Sequence, residues 1–304
     1  MNDANALLDK KTLVDAYLNR GARPLSSFSF VSLFAWCDFF DFDFKTINNC
    51  LCIFAYGDSG CFLYLPPLGE SFDSSTIELA FGHMAKGERV KAVNRIENIP
   101  GNLLLSFDPG SYNQYLKPAE YVYRKEDLIA LKGNAYKSQR HDCNSFDAHH
   151  GTHSFVPYTD ADFASCMGLY DRWADNRART NSDDIYRSML QENRLVHTRL
   201  LKFWISLGLV IRVLKVDGGI VGYTFGFVLD EHTFCVYAEI ADLRISGTAA
   251  YMFKSLCADE QLKQFSRINT MDDFAMPNVA RAKQAYHPSE LISSYTVSIK
   301  TGRD

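Results

Sequence analysis

The chain has 304 residues, of which 47% are hydrophobic and 22% charged, the balance of a globular protein with ample material for a buried core. A formal net charge of −4 excludes a general nucleic-acid coat protein, whose affinity depends on neutralising many phosphates, but leaves room for a local basic groove. At this length two domains are expected.

Targeting signals and cross-links are not expected. The opening segment MNDANALLDKK lacks the basic-then-apolar pattern of a signal peptide, and no apolar run approaches the roughly 18 residues that cross a bilayer. The eight cysteines include no C-x-x-C pair and mostly lie among apolar neighbours, as in LCIF and FCVY. We therefore expect a soluble, cytoplasmic protein with free thiols, without disulfides and without a zinc cage.

The first predicted unit covers residues 1–147. A short helix leads into an aromatic stretch, and two paired strands follow around the hairpin-type turn Gly57-Asp58-Ser59-Gly60. The elements expected are, in chain order, a helix at Asn5–Leu18, strands at Cys50–Tyr56 and Cys61–Tyr64, a helix at Ser75–Lys86 and a strand at Val90–Val93.

The second predicted unit covers residues 148–304. Thr159-x-x-Asp162 is typical of a capping box that begins a helix, Ser182 opens the next helix and Gly208 ends it. Asp217-Gly218-Gly219 predicts a hairpin turn in an antiparallel meander. The later elements expected are strands at Leu209–Leu214, Ile220–Leu229 and Thr233–Ala241, a helix at Gly247–Leu262, a strand at Arg267–Thr270, a helix at Pro277–Tyr286 and a strand at Tyr295–Ile299.

The order helix, helix, three-strand meander, helix, strand, helix, strand is that of an acyl-CoA N-acyltransferase (GNAT) fold, and the first unit shows a vaguer version of it. The expected fold class is therefore α/β (α+β), with two tandem GNAT-like acyltransferase domains, each a mixed, mostly antiparallel sheet flanked by helices. No exact internal repeat is present, so the tandem arrangement rests on element order.

Three segments carry a family resemblance. The residues concerned are Phe28-Ser29-Phe30, Trp36 and Leu65-Pro66-Pro67-Leu68-Gly69; Tyr121 to Leu128, Leu131-Lys132-Gly133, Tyr136, Arg140, Asn144 and Phe146; and Ile268-Asn269, Asp273, Ala282-Lys283, Tyr286 and Pro288. In this order they resemble the bacterial family of phosphatidylglycerol lysyltransferase C-terminal domains and its soluble relatives. The resemblance implies a tandem GNAT-like fold and transfer from aminoacyl-tRNA. The chain differs from the family pattern at Gln139, Thr270 and Ala280, where basic residues are usual.

A cationic stripe follows one face of a helix expected over Asn134–Phe146. Its members recur at helical spacing, and two further cations lie just upstream. The stripe consists of Lys137, Arg140, His141 and Asn144, with Arg124 and Lys132 before it. Such a stripe suits phosphate groups of coenzyme A, tRNA or a lipid headgroup, although a solvated helix face is the alternative.

The segment Arg244-Ile245-Ser246-Gly247-Thr248-Ala249 matches the R/Q-x-x-G-x-G/A pattern with which N-acyltransferases bind pyrophosphate at a helix N-terminus. It also follows a predicted strand, as that pattern requires. The alternative is an ordinary strand-to-helix turn in which Gly247 relieves crowding.

Glu239 and Tyr286 are the candidate catalytic residues. Glu239 lies near the end of a predicted strand and could act as a general base, or could form a structural ion pair. GNAT enzymes often use a tyrosine in the region of Tyr286 as the acid for the leaving group, whereas a core tyrosine is the alternative. Asn269, Asp273 and Lys283 lie in the same region, and Lys283 shares a helix face with Tyr286 and could bind phosphate.

His149, His150 and His153 do not form a complete coordination set, so no metal site is expected and these residues are assigned to an interdomain linker. Nucleophile and nucleotide motifs such as G-x-S-x-G and the Walker sequence are lacking too.

Together these patterns favour an acyl- or aminoacyl-transferase, with its site between the two units or in the second. The donor would be aminoacyl-tRNA or acyl-CoA, and no other cofactor is expected. The acceptor would be the amine or hydroxyl of a small molecule, peptide or lipid headgroup. The alternatives are a CoA-dependent N-acyltransferase and a non-catalytic ligand-binding GNAT-like module.

Overall fold

The computed structural model describes residues 4–58, 60–86, 94–180 and 183–300. The chain forms two compact units. The first consists of residues 1–120, 272–275 and 291–304, and the second of residues 121–271 and 276–290.

The first unit is built on a six-stranded mixed sheet with the strand order β1-β2-β3-β4-β13-β5. All neighbours are antiparallel except β3 and β4. The strands are β1 (Asp41–Ile47), β2 (Cys50–Gly57), β3 (Gly60–Leu63), β4 (Arg95–Pro100), β5 (Tyr112–Leu116) and β13 (Ser294–Ile299). The helices are α1 (Ala4–Leu8), α2 (Lys11–Leu18), α3 (Phe30–Ala35) and α4 (Ser74–Met84).

Helix α4 packs on this sheet because its apolar side chains recur on one face. Ile77, Phe81 and Met84 are buried against strand residues such as Phe54. The Asp73 side chain accepts from the backbone N–H of Thr76 and so caps the start of the helix.

The second unit is built on a seven-stranded mixed sheet with the order β12-β6-β11-β10-β9-β8-β7, in which only β10 and β11 are parallel among the pairs whose register is defined. Its strands are β6 (Glu120–Arg124), β7 (His153–Pro157), β8 (Val210–Val216), β9 (Gly219–Val228), β10 (Thr233–Ala241), β11 (Arg267–Asn269) and β12 (Glu290–Ile292). Its helices are α5 (Lys125–Ala130), α6 (Lys137–His149), α7 (Phe163–Thr180), α8 (Asp184–Lys202), α9 (Trp204–Leu207), α10 (Thr248–Cys257) and α11 (Pro277–Gln284).

The starts and stops of the helices in the second unit follow local chemistry. Thr159 and Asp162 form the predicted capping box, and the Asp183 side chain caps α8. Gly208 ends α9 with a left-handed φ of 69°. The predicted capping box is confirmed, and so is the stop at Gly208, although α8 already ends at Lys202 and Gly208 ends α9. The predicted start of the helix at Ser182 lies outside the described residues.

Helix α10 lies close to the sheet because β9 presents glycine beneath it. A side chain at Gly222 would meet Met252 at 3.0 Å and Thr248 at 3.4 Å. On β9, Tyr223 and Phe225 instead contact His197 of α8. The sheet therefore carries α10 over one face and helix α8 over the other.

Sequence analysis and structure differ at three places. The expected boundary after residue 147 differs from the division at residue 120, because β6 pairs with β11 and α6 packs against α10. His153 begins edge strand β7 and so does not belong to a linker. The last strand, expected in the second unit, joins the sheet of the first between β4 and β5, a long-range pairing that local pattern does not reveal. The strand expected at Val90–Val93 lies outside the described residues.

The fold class itself is confirmed: each unit is a mixed, mostly antiparallel sheet flanked by helices. All eight cysteines are buried free thiols, as expected.

Candidate active site

The candidate site lies where two parallel strands of the second unit separate. Pairing between β10 and β11 covers only three residues on each strand and ends at Cys235 and Asn269. Strand β10 continues to Ala241 while remaining paired with β9 on its other side. Among the described residues, no strand pairs with β10 beyond Cys235 on the β11 side, so a wedge opens there.

Two backbone N–H groups of β10 point into this wedge. A bulge at Val236/Ala238 resets the pairing of β10 with β9, after which Asp242 N donates to Val221 O at 2.8 Å. Because hydrogen-bonded and non-hydrogen-bonded pairs alternate in an antiparallel ladder, the N–H groups of Glu239 and Ala241 face away from β9. They are free of the ladder and available to a carbonyl oxygen.

Glu239 places a carboxylate in an apolar setting beside these N–H groups. Burial raises the pKa of Glu239 to about 8, and nearby Lys283 opposes the shift only in part. Its Oε1 is shielded from solvent and has no hydrogen-bond partner in the described part of the chain. Such a carboxyl group can take up a proton near neutral pH.

Tyr286 lies next to Glu239 at the end of α11. Burial, reinforced by the Glu239 charge, raises the pKa of Tyr286, so its phenol stays protonated at neutral pH. Its ring packs edge-to-face on Phe253 with centroids 5.1 Å apart. Tyr136 donates its hydroxyl to the backbone oxygen of Tyr286 at 3.1 Å and fixes the main chain there. The two predicted catalytic residues are therefore neighbours, while their catalytic roles stay a prediction.

Lys283 and Asn269 hold the backbone at the mouth of the wedge. Lys283 donates to the carbonyl oxygens of Thr270 and Met271. The Asn269 side chain is buried and accepts from Met271 N at 2.7 Å, which supports a left-handed φ of 62° at Met271. Their predicted role in binding phosphate is not tested by these contacts.

The predicted pyrophosphate turn leads into α10, with Ala249 in the first turn of that helix. Gly247 has φ of 81°, and a side chain on it would lie 2.3 Å from the Asp142 carbonyl oxygen of α6. Arg244 binds Asp242 through two nitrogens, at 2.9 and 2.6 Å. Gly247 is thus required by its close contact with α6. This structural role comes in addition to the predicted role of the turn in binding pyrophosphate.

The cationic stripe on α6 divides into two parts. Lys137 and Asn144 are exposed, as is Lys132 upstream. Arg140 instead turns back, and its Nη1 donates to the carbonyl oxygens of Leu131 and Gly133. Arg140 therefore ties down the loop after α5, a structural contact that spacing along the helix did not indicate.

Of two further predicted residues, Arg124 lies away from the wedge and Asp273 lies in a local turn. Arg124 lies at the end of β6 where β11 begins, opposite Arg267. Asp273 belongs to the first unit and accepts from Ala275 N at 2.9 Å in a local turn. Arg124 is therefore not brought together with Glu239.

Sequence reasoning did not single out two residues near Glu239. Thr224 is its cross-strand partner on β9, with a buried Oγ1 that has no described partner. Tyr123 on β6 donates its hydroxyl to Lys283 O at 2.9 Å. Such cross-strand placement cannot be seen without the register. No cluster of metal-ligating side chains occurs among the described residues, so the histidines near residue 150 do not form one there.

A family model described as "Phosphatidylglycerol lysyltransferase, C-terminal" matches residues 19–298. The chain belongs to this family. Membership of this lysyltransferase family indicates acyl or aminoacyl transfer as the general chemistry at the level of the family. No curated protein matches the chain in sequence.

Solved structures share the fold. A conserved protein of unknown function from Bacteroides thetaiotaomicron VPI-5482 is 22% identical, with a TM-score of 0.83 over 96% of this chain and 97% of that one. L-PGS from Bacillus licheniformis is 14% identical, with a TM-score of 0.66 over 96% and 92%. A tandem GNAT protein from the clavulanic acid biosynthesis pathway is 12% identical, with a TM-score of 0.52 over 97% of both.

Within the described ranges, no helix has both the length and the apolar character needed to cross a membrane.

Proposed function

We propose that this lysyltransferase-family chain transfers an acyl or aminoacyl group at the wedge between β10 and β11. The observation that carries the proposal is the shielded carboxyl group of Glu239, whose charge acts on the protonated phenol of Tyr286, beside backbone N–H groups that are free of the ladder. A base, an acid and an oxyanion site are the groups that acyl transfer requires.

The chemistry proceeds as a direct transfer. The amine or hydroxyl of the acceptor attacks the carbonyl carbon of the donor, and its proton passes to the Glu239 carboxylate. The N–H groups of Glu239 and Ala241 bind the oxyanion that forms. The C–O bond of an aminoacyl ester or the C–S bond of a thioester then breaks, and Tyr286 gives its proton to the leaving oxygen or sulfur.

The protonation states match these roles. Burial keeps the Tyr286 phenol protonated, so the residue enters the reaction able to donate. The raised pKa of Glu239 makes its carboxylate a stronger base than an exposed one would be, at the cost of a smaller ionised fraction at pH 7.

Two donors fit the proposal. Aminoacyl-tRNA is favoured by family membership and by the exposed cations Lys132 and Lys137, which can contact phosphates. Acyl-CoA is favoured by the Arg244–Ala249 turn at the start of α10, although α6 already contacts Gly247. The acceptor is proposed to be a small molecule, a peptide or a lipid headgroup.

The test is a transfer assay with radiolabelled lysyl-tRNA and acetyl-CoA in parallel, with each acceptor class. Glu239→Gln and Tyr286→Phe should each lower turnover about 100-fold or more, the usual contribution of a general base or acid. Glu231→Gln and Tyr115→Phe, both at exposed positions, are matched controls that should retain activity. Full activity in both wedge variants would refute the proposal, and donor binding without turnover would identify a binding module instead.

A further inference from the structure

A second cavity lies in the same unit, far from the wedge along the strands. It has a volume of about 630 Å³, within the range of small-molecule sites. Arg267, which lines it, pairs in register with Thr233, six residues before Glu239 on β10. At about 3.3 Å per residue, this places the cavity roughly 20 Å from Glu239.

Two arginines face each other on its wall. Arg124 of β6 and Arg267 of β11 are direct cross-strand partners, so their side chains project from the same face of the sheet. Like charges directly opposite each other destabilise a sheet, so this pairing is not explained by stability. The cavity wall therefore carries two positive charges side by side, where Arg124 and Arg267 lie opposite each other.

The charges at this point are only partly neutralised. Arg267 forms an ion pair with Glu290, whereas the guanidinium of Arg124 makes no hydrogen bond or ion pair with any described residue. Lys125 donates to a neutral partner, the Leu262 carbonyl oxygen, at 2.5 Å. Burial lowers the pKa of Lys125. Glu126 is exposed at the rim.

The rest of the lining fits a compact ligand with an apolar part. Ile129 and Phe265 are the apolar members of the lining, and Ser266 and Ser289 are its uncharged polar members. A guanidinium binds phosphate through a planar two-point contact that a lysine cannot reproduce.

We infer that the cavity between β6, β11 and α5 is a second ligand site that binds a phosphate group through Arg124 and Arg267. Its volume, with Ile129 and Phe265 beside the two arginines, suits a small phosphorylated molecule of mononucleotide size. The site is separate from the proposed transfer centre and does not depend on transfer occurring. Arg124, which sequence reasoning grouped with the donor-binding residues, belongs to this second site.

The experiment is a calorimetric titration of the whole chain with inorganic phosphate and with AMP, at constant ionic strength. Saturable binding is expected, and Arg124→Gln should weaken it about tenfold to a hundredfold, because one charge-assisted contact is lost. Arg124→Lys keeps the positive charge but loses the planar two-point contact with phosphate. Its affinity should therefore lie between that of the wild type and that of Arg124→Gln. Arg179→Gln, at an exposed position on α7 outside the lining, is the matched control and should bind as the wild type does.

Phosphate also stabilises proteins generally because it is excluded from their surfaces. This stabilisation does not saturate and does not depend on any single arginine side chain. A thermal shift that rises linearly with phosphate and is equal in wild type, Arg124→Gln and Arg179→Gln would overturn the proposal. Filter binding of uncharged tRNA distinguishes the source of the phosphate. If the wild type does not bind AMP and Arg124→Gln loses tRNA binding, the bound phosphate belongs to an RNA backbone. If the wild type binds AMP and Arg124→Gln binds tRNA as the wild type does, the bound phosphate belongs to a small molecule.

Discussion

Replacing Glu239 by glutamine should change how stability depends on pH. The folded protein holds the Glu239 proton up to about pH 8, whereas the unfolded chain loses it near 4.5. Between these values the folded state binds the extra proton, so its stability falls as pH rises through this window. Glutamine keeps the shape of the side chain and removes the ionisation, so the variant should not show this loss.

The size of the effect follows from the two pKa values. The interval from 4.5 to about 8, at about 1.4 kcal/mol per pH unit, corresponds to at most roughly 5 kcal/mol of unfolding free energy. Glu239 as a residue is half-buried, with Oε1 shielded from solvent, so about 2 to 5 kcal/mol is the expected loss between pH 5 and pH 9.

Urea unfolding of wild type and Glu239→Gln at pH 5, 7 and 9 measures this difference, with Glu231→Gln in an exposed turn as the control that should behave as the wild type does. A carbon-13 titration of the glutamate carboxyl carbons gives the ionisation directly, because the resonance missing from Glu239→Gln should have its midpoint near pH 8. A midpoint near 4.5, or identical pH profiles for wild type and variant, would refute the reasoning about burial at the wedge.

Three further predictions concern packing and charge. Gly247→Ala should lower the free energy of unfolding by about 3 kcal/mol or more, because the new methyl group would lie 2.3 Å from the Asp142 carbonyl oxygen. Gly133→Ala is the control, because Gly133 has a similar positive φ but no atom within 4 Å of the added methyl group. It should lose only the backbone strain of about 1–2 kcal/mol. Chemical denaturation of both variants compares them, and equal losses would contradict the close contact of α6 with α10. Arg212→Leu should cost about 3–5 kcal/mol, because it leaves Asp259 buried without its partner, whereas Arg194→Leu, in an exposed pair with Asp171, should cost about 0–1 kcal/mol; similar melting temperatures would exclude this difference. Burial lowers the pKa of His197 to about 3, so the stability it contributes above pH 6.5 is lost as pH falls toward 3, and His197→Asn should flatten that acid limb in thermal melts.

The amino-acid sequence determined most of the local structure. The capping box at Thr159, the hairpin turn at Asp217 and the stop at Gly208 are short-range features, and each leads to the element that it predicts. The order of these elements gave the fold class, because helices and strands with these apolar faces have few ways to cover each other.

Part of the candidate site was also accessible from the sequence. Glu239 and Tyr286 were found through strand position and family resemblance, and the structure makes them neighbours. Lys132, Lys137 and Asn144 remain exposed as a phosphate-binding stripe requires. These residues could be selected from the sequence because their selection depends only on residue type and on spacing along the chain.

Tertiary structure decided the pairings between distant segments and the partners of charged side chains. The register that brings Arg124 opposite Arg267 joins segments more than 140 residues apart, and the insertion of β13 between β4 and β5 joins segments that are still more distant in sequence. Arg140 is predicted from its spacing to bind phosphate, and the structure adds that its Nη1 donates to the carbonyl oxygens of Leu131 and Gly133. A helical spacing fixes the direction in which a side chain leaves the backbone, whereas the group that it meets there is set by long-range packing, which is why these outcomes could not be read from the chain alone.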